Sequence, residues 1–193
     1  AIVDSEIKPK MSYHFVKNSF APQLIYFKND GTSIKINLLN QNHLRLKGKV
    51  RITIIDSSTG KIITDFSKAV DINSKMKTEL NSILISKLPP NNNWILTAVL
   101  LDELDNTVCK NYFTFKPWKH IRLEKAQLNI KVKNKKNSAS LIIKSKNPVF
   151  FFDVYYPGIT FFVFLFFLLP GEQFELKINE GKLKSFKVSD FKI

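Results

Sequence analysis

Few side chains in this sequence have the type and spacing to do chemistry. Asp102, Glu103 and Asp105 crowd one short stretch and could hold a calcium ion. Their spacing matches no standard calcium loop, so a solvated turn is the better reading. Asp153 interrupts Phe150-Phe151-Phe152 and Val154. A carboxyl in such surroundings could have a raised pKa and act as an acid. Strand alternation would instead turn it outward, or backbone hydrogen bonds would hold it. Glu172 follows Pro170-Gly171 and reads as an exposed turn residue. His14, His43 and His120 lie in three separate segments with no partner Cys or His nearby, a poor pattern for a metal. Cys109 is the single cysteine, so no intramolecular disulfide can form. It lacks a nucleophile signature and suits a small buried thiol. The six glycines form no phosphate-cradling loop. These residues give no catalytic, metal or cofactor site.

Aromatic side chains leave one binding possibility. Trp94, Trp118, Tyr155 and Tyr156 could stack on sugar rings if their faces were exposed. Trp94 opens a strand and also suits a core. Trp118 falls in a linker and could wedge two domains together.

The elements that carry these residues are mostly strands. Met11, Phe15, Val16 and Phe20 are spaced as one face of a short helix, with Pro9 near its start and Pro22 beyond its end. A lone helix this short is marginal in water and should pack on something. From Gln23 the period changes to two. Strands are expected near Gln23–Phe27, Ser33–Leu39, Gly48–Ile55, Lys61–Phe66, Lys77–Ile85, Ile95–Leu101 and Thr107–Phe115. Asn29-Asp30-Gly31 is a turn, Asp56 to Gly60 another, and Pro89 to Asn93 a polar corner. Seven short strands without an intervening helix imply an antiparallel sandwich. After Lys116-Pro117-Trp118, a smaller β unit is expected. Its strands fall near Gln127–Lys133, Ser138–Ser145, Val149–Tyr155, Phe162–Phe167, Gln173–Asn179 and Lys184–Val188.

The formal charge of +14 raises nucleic acid or another acidic surface as a partner. The lysines run from Lys8 to Lys192 and often alternate with apolar residues, as in Leu128 to Lys133. That is the solvated face of a half-buried strand, so no specific nucleic-acid site is expected. The apolar run Ile159 to Leu169 is too short for a spanning helix, so no transmembrane segment is expected. No signal peptide is visible at the N-terminus. Alternation leaves both faces of Phe161–Phe167 apolar. One face can fill a small core; the other needs a cover, which could be the first sandwich, a missing domain or a second copy of the chain.

Three stretches together resemble the C-terminal part of glycoside hydrolase family 2 enzymes, in their β-mannosidase-like branch. Lys8 to Lys17 with Phe20-Ala21-Pro22 is similar to the last helix of the catalytic barrel and its exit. Tyr112 to Leu123 is similar to the link between two immunoglobulin-like domains. Asn147 to Tyr155, Pro157-Gly158 and Leu168-Leu169-Pro170-Gly171-Glu172 are similar to the core strands and a turn of the final domain.

The resemblance implies an all-β chain: two tandem immunoglobulin-like β-sandwich domains preceded by a short helix. Residues 1–22 would be the barrel-exit helix and linker, 23–116 the first sandwich and 117–193 the smaller second. It implies a non-catalytic, supporting role, with the catalytic barrel earlier in the same polypeptide as partner. It also implies no cofactor, and a periplasmic, secreted or lysosomal-type setting. The intact enzyme would hydrolyse terminal β-linked mannose or a related sugar. The alternatives are a carbohydrate-binding or surface adhesion module and a basic nucleic-acid-binding β protein. The family's acid/base glutamate follows an asparagine; Asn179-Glu180 repeats that pair, but before Gly181 at a turn, where a hairpin end is the better reading. The family carries short polar residues where this chain has Phe162-Val163-Phe164, so an exposed apolar patch is expected there.

Overall fold

The computed structural model describes residues 3, 5, 10–89, 93–135, 138–152, 154 and 166–178. The chain divides into two compact units, one formed mainly by residues 15–122 and the other mainly by residues 123–193.

The first unit holds strands β1 (Gln23–Asn29), β2 (Ser33–Asn40), β3 (Leu46–Asp56), β4 (Ile62–Ile72), β5 (Met76–Leu84), β6 (Trp94–Leu101) and β7 (Thr107–Thr114). They form two antiparallel sheets, ordered β1-β2-β5 and β4-β3-β6-β7. Period-2 side-chain direction explains the core. Ile34, Ile36 and Leu38 point inward from β2, Val50, Ile52 and Ile54 from β3, and Leu96, Ala98 and Leu100 from β6, all buried. β-Branched residues dominate because they fit a pleated, packed surface. At one side of the sandwich an aromatic row continues the core: Phe27 meets Phe113, Phe113 meets Phe115, and Phe115 meets Trp94, with ring centroids 6.0, 5.3 and 5.6 Å apart. Asn111 Nδ2 donates to the Ile25 carbonyl at 2.8 Å, tying β7 to β1.

The second unit holds β8 (Leu128–Lys135), β9 (Ser138–Ser145), β10 (Val149–Phe152), β11 (Phe166–Leu168) and β12 (Gln173–Ile178). Its sheets are β12-β9-β8 and β10-β11, again antiparallel. Leu141, Ile143, Val149, Val154, Leu168 and Leu176 fill its core. Phe167 is buried and stacks on Phe150 with centroids 5.8 Å apart. The expected strand at Lys184–Val188 lies outside the described residues, as do residues 161–165.

The chain is all-β apart from helix α1 (Met11–Ser19) and two 3-10 turns among the described residues. Two expectations need correction. β4 runs to Ile72, six residues past the expected end, because Ser67, Lys68 and Ala69 pair with β3 despite offering no apolar signal. Phe15 and Val16 of the helix, and Phe20 just after it, are not buried: they remain 45%, 40% and 83% exposed. Nothing among the described residues covers them as a core would.

Close packing also dictates one glycine. A Cβ on Gly48 of β3 would stand 2.1 Å from the Leu101 carbonyl oxygen of β6, a backbone atom that cannot swing aside. Gly48→Ala should therefore cost about 1–3 kcal/mol. The urea midpoint should fall with little change in slope; an unchanged midpoint would contradict this close approach.

Candidate functional site

The acidic loop between β6 and β7 carries Asp102, Glu103 and Asp105. Asp102 Oδ1 accepts from the backbone N–H of Leu104 at 2.9 Å and of Asn106 at 2.8 Å. The Asn106 side-chain amide adds a bond of 3.1 Å to Oδ2. These bonds, led by that of the Asn106 side chain, hold the Asp102 carboxyl below its usual range. Asp105 pairs with Lys49 at 2.7 Å. A shallow groove beside them is lined by Lys47, Lys49, Asp71, Asp102, Glu103 and Asp105. Asp71 is spent on Arg45, whose Nε lies 2.5 Å from Oδ1, and is likewise depressed. An acid that is ionised well below neutral pH cannot protonate a leaving group. The groove therefore mixes charges but offers no proton donor from Asp71 or Asp102.

Asp65 and Glu172 are structural in the same way. Asp65 accepts from Arg51 Nε at 2.9 Å and Nη2 at 2.6 Å, and these bonds lower its pKa. Glu172 Oε2 accepts from the Leu169 N–H at 3.0 Å, closing the turn at Pro170-Gly171, where Gly171 has φ +85°. Glu172 is half-buried there rather than exposed. Asp153 and Glu180 lie outside the described residues. Among the described residues no three His, Cys, Asp or Glu side chains stand together as metal ligands. His43 and His120 are both exposed, in different loops. Cys109 is half-buried on β7, and burial pushes its thiol up to about 11.

The tryptophans do not form a platform. Trp94 is 2% exposed and packs edge-on against Phe115 within the core. Its face is closed to a sugar ring, which corrects its place among the stacking candidates. Trp118 is half-buried and edge-on to Tyr112 at 5.5 Å. Tyr112 alternates with core-facing Phe113, so the two tryptophans belong to opposite faces of one sheet. Burial raises the Tyr112 phenol to about 12, so it stays protonated at any physiological pH. Tyr155 and Tyr156 lie outside the described residues.

A polar clasp in the first unit was not foreseen. Asn93, at the end of the polar corner, accepts from the Arg122 N–H through Oδ1 at 2.8 Å and donates to the Arg122 carbonyl through Nδ2 at 2.9 Å. Ser57 Oγ stands 2.9 Å from both the Asn93 and Arg122 carbonyl oxygens. Asn93 and Ser57 are buried. The clasp pins the segment that leaves β7 to the ends of β3 and β6. Its only sequence signal is an amide directly before a core-facing Trp.

Residues 32–120 match the family model described as a Mannosidase Ig/CBM-like domain. Solved structures with the same fold include the β-D-mannosidase of Dictyoglomus thermophilum, at 19% identity and a TM-score of 0.80 over 93% of this chain. The exo-chitosanase of Amycolatopsis orientalis aligns at 15% identity and a TM-score of 0.69 over 94%. The chain spans 22% of the mannosidase and 26% of the exo-chitosanase. No curated protein matches it significantly. The matched domain and these neighbours bear out the resemblance to the C-terminal immunoglobulin-like region of family 2 glycoside hydrolases. A non-catalytic accessory region is the role that such a domain supports.

Two tests follow from these bonds. Asn93→Ala removes both of its hydrogen bonds to Arg122 and should cost about 0.5–1.5 kcal/mol in urea denaturation; a change within error would remove the clasp from the account of stability. Asp30, in the turn between β1 and β2, accepts from the N–H and hydroxyl groups of Thr32 and Ser33, and these bonds depress its pKa from 3.8. Because the folded value is the lower one, its contribution is present above pH 3.8 and is lost as pH falls below it. Asp30→Asn should therefore flatten the acid limb of the stability curve and leave its neutral part nearly level. An unchanged acid limb would refute this role.

Proposed function

We propose that this chain is the supporting C-terminal part of a β-mannosidase-like family 2 glycosidase, with the catalytic barrel elsewhere in the same polypeptide. The observation that carries the reading is one-sided coverage: 93% of this chain aligns with only 22% of a β-mannosidase. The carboxylates described above are committed to turns and ion pairs, which fits a segment that does no bond cleavage. On this reading the segments 23–116 and 117–193 are tandem sandwiches, and residues 1–22 carry the barrel's exit helix.

The open apolar residues on and just after α1 support the same reading. Phe15, Val16 and Phe20 would cost free energy in water if left uncovered. A barrel preceding the helix is the cover assigned here. The Phe161–Phe167 face is a second place where the barrel, or another copy of the chain, would pack.

Terminal β-mannose is the substrate proposed for the intact enzyme, after the β-D-mannosidase, which this chain resembles more in fold than it does the exo-chitosanase.

The isolated chain should show no turnover of p-nitrophenyl β-mannoside. The longer polypeptide, read from the gene upstream of Ala1, should contain a barrel with an Asn-Glu pair and release p-nitrophenol. Turnover by the isolated chain that survives purification would overturn the supporting role. A start codon at this point, or preference of the longer enzyme for a glucosaminide, would overturn the mannosidase reading.

A further inference from the structure

The three-stranded sheet of the second unit has an outward face that the proposed function does not use. The register aligns Lys131 on β8 with Ile142 on β9 and Glu175 on β12, and places Lys133 and Lys177 together in the next row. Lys144 stands in the row on the other side. These residues alternate with Ile130, Val132, Ile143 and Leu176, which face the core.

Lys131, Lys133, Lys144 and Lys177 are all exposed. Three basic side chains of the first unit have close acidic partners: Lys35 lies 3.8 Å from Glu79, Lys49 lies 2.7 Å from Asp105, and Arg51 lies 2.6 Å from Asp65. None of the four lysines has such a partner among the described residues, and Glu175 is the only acid in the three rows. Neighbours two apart on a strand stand roughly 6.8 Å apart, and adjacent strands roughly 4.8 Å. Those spacings fall inside the screening length of about 8 Å at physiological salt, so the ammonium potentials add.

We propose that this face, through Lys131, Lys133, Lys144 and Lys177, binds an acidic polysaccharide. Its chemistry selects for charge alone. The three rows carry no aromatic ring, so neither neutral sugars nor unpaired bases have a stacking partner. Ile142 at their centre is buried, so no apolar side chain is available to enter a lipid layer. A linear chain of carboxylates or sulfates can run along the rows and meet successive lysines. The choice of a glycan over another linear polyanion rests on the proposed role in a sugar-cleaving enzyme; the charged face itself does not.

Alginate is the probe, with neutral mannan and duplex DNA as comparators, measured by titration at low and at physiological salt. The expected result is alginate binding that weakens with salt and none with mannan. The combined variant Lys131→Gln, Lys133→Gln, Lys144→Gln, Lys177→Gln should lose roughly ten-fold or more in alginate affinity. A variant with the same change in net charge on other exposed lysines, Lys77→Gln, Lys87→Gln, Lys119→Gln, Lys125→Gln, should lose less than about three-fold. Replacing the first four by Arg should keep the affinity. Equal losses in the two Gln variants, or no binding at low salt, would overturn the site. DNA bound more tightly than alginate would overturn the glycan assignment. Mannoside turnover plays no part in these readouts, so the supporting role stands or falls separately.

Discussion

A β-sandwich must carry its chain from one sheet to the other, and each crossing leaves backbone polar groups at the rim of an apolar core. In the first unit that constraint is met by buried amides. Asn40, fully buried at the end of β2, donates to the carbonyls of Leu44 and Asn73 at 2.9 and 3.2 Å and accepts from the Asn42 N–H at 3.2 Å. One side chain thus holds the crossing from β2 to β3 and the crossing from β4 to β5. Asn93 does the same work at the opposite end, where the chain enters β6 and leaves β7. Without such partners the crossings would leave unsatisfied groups beside Ile and Leu side chains, at a cost comparable to a lost buried hydrogen bond.

The apolar alternation that builds the two sheets is plain in the sequence, because each inward position needs a branched aliphatic side chain. Ile34, Ile36 and Leu38 announce β2, and Asn29-Asp30-Gly31 announces the turn before it. The far half of β4 is not visible, since an edge strand can be held by pairing alone. There the ammonium group of Lys68 donates to the Leu80 carbonyl of β5, a contact between the two sheets that a pattern of exposed lysines does not signal. Asn40 and Asn93 are invisible for a related reason. Asparagine in a polar loop reads as a turn former, and only the folded chain shows that its amide is buried. The candidate site was partly legible: the acidic loop at Asp102 to Asp105 reads as a turn from spacing, but which hydrogen bonds hold it does not. Trp94 could serve as core or as a sugar platform by sequence, and its packing against Phe115 decides for the core.

These two facts together explain why the described residues suit support more than chemistry. Loops carry function when their polar groups are left uncommitted. Here Asp30, Asp102 and Glu172 are bound to neighbouring N–H groups, and Asp65 and Asp71 to guanidinium groups. Open surfaces among the described residues include the apolar Phe15 and Val16 on α1 and the lysines on the sheet of β8, β9 and β12. Such surfaces recognise other molecules by contact and by field, without making or breaking bonds.

The lone thiol gives the fold an independence of redox conditions. Cys109 is held protonated up to a pH of about 11 by its burial on β7. The thiolate is the species that attacks disulfides and reacts with oxidants, and almost none of it exists at neutral pH here. With a single cysteine the chain can form no internal disulfide, and the raised pKa of Cys109 slows its reaction with oxidants and disulfides.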